Sequence, residues 1–149
     1  MSTSTEASIA IQPSQPQQPD WFLQSLVNMV NASSFEFGVT LQVSGMLVSG
    51  YLVGGQKYFS GFASDFLAGI DNFEEETKQT IQSNFEAYGN VYKTPEEGQE
   101  VPPPQMIHLR DARFYNTAGN AIPANRGVWW RGRLSEVGGF ILGNLSQNK

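Results

Sequence analysis

The stretch Gly127–Ser146, GVWWRGRLSEVGGFILGNLS, decides the fold. Val128, Trp130, Gly132 and Leu134 alternate with Trp129, Arg131, Arg133 and Ser135, the period of a strand that buries one face. Gly138-Gly139 offers a turn and Phe140–Ser146 reads as a returning strand, so Val128–Ser146 is expected to form a two-stranded hairpin. Val128, Trp130 and Leu134 then belong to the core, and Trp129, Arg131 and Arg133 project together from the opposite face.

Moving upstream, Met106–Tyr115 reads as a strand with Ile107 and Leu109 on one face and an irregularity near Asp111 that lets Ala112 and Phe114 repack. NTAGNAIPANRG, between this strand and the next, is a loop. Residues 93–105, KTPEEGQEVPPPQ, combine acidic residues, Gly and three consecutive prolines, which favours an extended linker and forbids a continuing helix or central strand. Before it, Phe59, Phe62, Phe66 and Ile70, then Phe73, Thr77, Ile81 and Phe85, recur at helical spacing, so 56–92 is expected to be a helical insertion, either one bent helix or two. Phe37, Val39, Leu41 and Val43 alternate with Gly38, Thr40, Gln42 and Ser44, Gly45 allows a tight turn, and Met46–Val53 forms the second arm of a hairpin. Asp20 is an N-cap for a short amphipathic helix through Asn31, with Phe22, Leu23, Leu26, Val27 and Val30 on its apolar face. Residues 1–19 are Ser/Thr- then Gln/Pro-rich and read as a disordered tail.

A chain of 149 residues is enough for one domain with a sizeable core, here taken as 20–146. There are no cysteines, which removes disulfides, thiol catalysis and thiolate metal sites and makes the cytosol the default compartment. No basic segment followed by an apolar core opens the chain and no apolar run reaches membrane-spanning length, so a soluble protein is expected. Residues 1–105 hold three of the nine Lys/Arg and twelve of the fourteen Asp/Glu, a net −9, and 106–149 carry a net +4. Opposed halves either attract each other within the fold or mark a charged partner site.

The single histidine, His108, rules out a histidine-rich metal site within one chain, and no nucleophile elbow stands with it to build a hydrolytic triad. Gly45, Gly50, Gly54 and Gly55 match neither Walker spacing nor a GxGxxG entering a helix. No cofactor and no catalytic residue is therefore expected. The informative cluster is Trp129, Arg131 and Arg133, with His108 and Arg110 of the preceding strand near them. Trp and Arg dominate binding hot spots because a planar apolar surface and a forked cation give contact area with little disorder to lose. The same residues also suit cross-strand cation–π packing, or pairing to Glu136 and the acidic helix.

IHLRDARFYN, GVWWRGRLSEVGGFILGNLS and VTLQVSGMLVSGYLVGGQKYF together resemble the gas vesicle accessory protein U family, over most of Phe37–Ser146. Trp130, Arg131, Gly132, Glu136 and Gly139 fall on its W-R-G-[RK]-[hydrophobic]-x-E-V-x-G-F-x-L-G pattern; the Gln/Pro tail and the triple-proline linker fall outside it. The resemblance implies a non-enzymatic accessory protein acting in vesicle assembly or clustering. Its implied partners are shell or accessory proteins and further copies of itself; composition points to no membrane partner, and the acidic balance opposes nucleic acid.

A second resemblance concerns fold. GMLVSGYL is similar to the first Sm motif, IHLRDA to the strand that follows, and WRG to the Arg-Gly of the second motif. The expected architecture is α+β: a small, strongly bent antiparallel sheet or open Sm-like barrel of about five strands, with an N-terminal helix and the helical insertion. The alternative readings are an Sm-like RNA-binding module and a protein with no gas vesicle role. Of the family's RNA-contacting residues only Arg131-Gly132 has a counterpart, and the acidic balance opposes RNA.

Overall fold

The computed structural model describes residues 18–116, 118, 121–122 and 126–145. The expected tail through Gln17, much of the loop after Asn116, and Ser146 lie outside them.

Asp20 caps helix α1, Trp21–Asn31, its carboxylate accepting from the Leu23 N–H at 2.9 Å. Leu23, Val27 and Val30 are the buried stripe of this helix, while Phe22 stays half exposed against Phe140 at a ring distance of 5.8 Å. Strands β1, Phe37–Val43, and β2, Met46–Val53, pair through a two-residue turn in which Ser44 (φ 53°) and Gly45 (φ 81°) are both left-handed. A primed turn of this kind matches the twist of the strands it joins. Val39 and Leu41 face the core from β1, and Val48 and Leu52 from β2.

The insertion is two helices, α2 (Gly55–Ala68) and α3 (Glu75–Tyr88), followed by a 3-10 turn, Gly89–Tyr92. Residues 93–105 contain neither helix nor strand. Their far end is pinned where the Gln24 amide donates to the Pro104 carbonyl at 2.9 Å.

Strand β3, Met106–Tyr115, then returns beside β2. The irregularity expected near Asp111 is a bulge: Asp111 has φ 54°, and the register slips there against β2 and against the strand on the other side. Gly50 of β2 faces it, where a Cβ would lie 2.8 Å from the Arg110 carbonyl oxygen. A bulge of this kind bends the strand and tightens the sheet's twist.

The last strands correct one expectation. β5 (Val128–Arg133) and β6 (Val137–Leu142) are not a hairpin: β5 pairs with β3 and β6 with β1. The sheet is open, antiparallel and five strands wide in the order β5-β3-β2-β1-β6, with the two-residue β4 (Ala121–Ile122) beside the end of β3. The chain turns at a 3-10 turn, Leu134–Glu136, rather than at Gly138-Gly139. Leu134 is buried there and donates its N–H to the Gln105 carbonyl, so its side chain joins the core instead of extending the strand. Alternation reports which face of a strand is covered and is silent about its neighbour. The core lies between α1 and the inner face, with Ile107, Leu109, Ala112 and Leu134 completing it.

After β6 the chain crosses the outer face. Thr40 spends its one hydroxyl proton on the Gly143 carbonyl (2.8 Å), so Ser49 must donate to Thr40 (3.0 Å), and Ser49 in turn accepts from the Leu145 N–H (2.6 Å). Two buried hydroxyls thereby tie the C-terminal segment to β1 and β2.

Candidate functional site

Strand pairing sets His108 opposite Arg131, and alternation carries Trp129, Arg133 and Arg110 to the same outer face. All five candidate residues therefore share a face, but they do not form one patch, because α2 and the Gly89–Tyr92 turn cover part of it.

Trp129 lies beneath α2. A Cβ at Gly61 would overlap its indole ring, so only glycine lets the helix approach this closely. Tyr58 meets the same ring edge-on at 6.1 Å. Beside it His108 is 1% exposed, packed under Tyr58 (4.8 Å) and Tyr92 (5.2 Å). Arg131 Nη1 lies 2.7 Å from His108 Nε2 and donates to the Tyr92 hydroxyl at 3.0 Å, with its guanidinium 5.3 Å above the Phe59 ring.

A guanidinium has donors only, so Nε2 of His108 must accept and its proton sits on Nδ1. Burial, seconded by the positive charge of Arg131, pushes His108 down to about 3, which keeps it neutral. Its one lone pair is thus committed to Arg131. Burial also raises the Tyr58 phenol, with Arg131 pulling the other way.

Arg110 belongs to a separate cluster. Its Nε donates to Glu36 at 2.6 Å, its guanidinium stacks 4.3 Å from the Tyr51 ring, and Lys57 of α2 shares the same carboxylate. Burial works to raise Glu36, but the two cations outweigh it and hold the carboxyl below its ordinary 4.5. Arg133 is exposed and opposite Met106, and its side chain makes no ion pair or hydrogen bond among the described residues. An apolar groove of 520 Å³ between α1, Tyr92 and the proline segment is lined by none of the five. No group of three His, Asp or Glu side chains among the described residues could hold a metal ion.

Tyr58, Tyr92, Gly61 and Glu36 complete these clusters and were not among the sequence candidates. Gly61 was the available signal, since a glycine inside a helical stripe marks a place where something approaches closely.

The family model described as gas vesicle protein GvpU-like matches residues 20–145, from the cap of α1 to the end of the outer-face crossing. The chain belongs to the GvpU-like family. No curated protein and no solved structure matches it. Membership makes this a gas vesicle-related protein, and the matched range takes in the sheet, the insertion and the seam between them. Among the described residues of this GvpU-like chain no helix is long and apolar enough to cross a membrane.

Proposed function

We propose that this protein is a non-catalytic accessory factor of gas vesicles, working in the cytoplasm on vesicle assembly or clustering through association with vesicle proteins and with further copies of itself. The match of the family model over residues 20–145 carries the reading. The state of His108 supports the non-catalytic part: its ring is buried and its lone pair is held by Arg131, leaving no accessible base there. Arg133 is the member of the sequence cluster free to meet a partner.

Strand order and the leading helix support an Sm-like description of the fold. They do not bring RNA binding with them, because Arg131, the cation of the Arg-Gly pair, is engaged by Tyr92, His108 and Phe59.

Purified protein mixed with gas vesicles is expected to co-sediment with them and cluster them. Arg133→Glu should weaken this several-fold with an unchanged melting curve. Clustering by the variant at the level of the parent would remove Arg133 from the contact, and absence of any vesicle binding by the parent would remove the function.

A further inference from the structure

The aromatic residues of the insertion continue past the seam with the sheet. From Tyr58 and Phe59 the ring contacts run through Phe62, Phe66 and Phe85 to Tyr88, which closes the circuit back on Phe59, each ring within 6.2 Å of the next. Of these rings Phe62 is 39%, Phe66 44% and Tyr88 59% exposed, forming a contiguous apolar ridge where α2 meets α3. α3 buries no residue at all.

The ridge is set in negative charge. Gly55–Tyr92 holds six carboxylates (Asp65, Asp71, Glu74, Glu75, Glu76 and Glu86) against two lysines, and Lys57 is already paired with Glu36. Asp65 is exposed beside Phe62 and Phe66 on α2, and Glu86 follows Phe85 on α3, accepting from Ser60 and Gln82. The seam shows what this chemistry holds: Phe59 and Tyr92 receive the guanidinium of Arg131, one through its ring face and the other through its hydroxyl. The ridge repeats the ring faces and adds carboxylates.

We infer that the Phe62/Phe66/Phe85/Tyr88 ridge, with Asp65 and Glu86 beside it, is a docking site for an arginine-bearing, partly apolar segment of another protein. Guanidinium groups stack on ring faces and pair with the flanking carboxylates, while apolar side chains cover the exposed rings. A second copy of this chain is the poorer occupant, because the chain carries a net charge of −5. The inference rests on the proposed function only in taking the partner to be a protein.

The test uses the full chain without vesicles. A short amphipathic peptide with Leu on one face and Arg on the other is titrated against aromatic NMR resonances, alongside versions carrying Lys or Gln in place of Arg. The Arg peptide should shift Phe62, Phe66, Phe85 and Tyr88 and bind about tenfold tighter than the Gln peptide, with the Lys peptide between them. Phe66→Ala should weaken binding by about fivefold or more. Asp65→Asn, at an exposed position that leaves the fold intact, should weaken it less and lower its salt dependence. Equal binding of the Arg and Gln peptides, or binding unchanged in both variants, overturns the assignment. So do concentration-dependent shifts of the same resonances without peptide, which would assign the ridge to a second copy. Peptide binding without vesicle binding would refute the vesicle role and leave the ridge standing, so the two failures are separable.

Discussion

His108 stands where a second positive charge would be costly, walled by Tyr58, Tyr92 and Phe59 and facing Arg131. Its folded-state value of about 3 lies below the ordinary 6.5, so the unfolded chain binds the proton first as pH falls. Stability from this residue is fully present above pH 6.5 and is lost progressively as pH drops toward 3. It is the only histidine, and Glu36, the carboxylate held below its ordinary 4.5, adds its own loss only at lower pH. Between pH 6.5 and pH 4.5 unfolding free energy should fall by roughly 1 kcal/mol per pH unit as the unfolded imidazole becomes protonated. Urea titrations across that range check this. His108→Gln, which keeps an acceptor for Arg131 but cannot titrate, should flatten the slope; the same slope in the variant would place its origin elsewhere.

At the scale of elements, the seating of α2 on β5 joins segments far apart in the chain. The stripe Phe59, Phe62, Phe66 reads from sequence as one packing face, and its helices form as that spacing implies. The face then divides: Phe59 turns to His108 and Tyr92, and Phe62 and Phe66 to Phe85. Gly61 sets how near the helix comes to Trp129. Gly61→Ala should push α2 off the indole and cost about 1–3 kcal/mol by overpacking. Gly138→Ala is the comparison, since the nearest atoms to its Cβ lie 3.8 Å away, and it should change stability by less than about 0.5 kcal/mol. Equal effects of the two in urea unfolding would mean that the seam is not tightly packed. Trp129, a contact candidate by its place on the strand, is part of the seam.

Across the whole molecule, the open sheet leaves β5 and β6 as edges, each paired on one side only among the described residues. β6 is the more adhesive edge, with Ile141 59% and Leu142 72% exposed on its opposite faces and Phe22 packed at Phe140. A one-sided strand with apolar side chains invites pairing with another chain, and a lysine on it is a standard deterrent. On the proposed reading, self-association runs through this edge. Ile141→Lys should lower the weight-average mass in sedimentation velocity while leaving the melting temperature unchanged. Undiminished assembly by the variant would assign self-association to another surface.

The sequence by itself determined α1 with its Asp20 cap, the β1–β2 hairpin about Ser44-Gly45, the bulge at Asp111 and the two faces of β5. It also carried the family signature. Each is a local matter of side-chain period, backbone preference or motif, read within a dozen or so residues. The tertiary structure alone decided that β5 and β6 separate to opposite edges instead of pairing. It alone decided that the insertion folds back over His108, Trp129 and Arg131, splitting one expected surface patch into a packed seam, a Glu36-centred ion cluster and a lone Arg133. The reason is physical. Periodicity records that a face is buried, but which element buries it depends on contacts between residues far apart in the chain, here on the bend at Gly50 and Asp111 and on the absence of a side chain at Gly61.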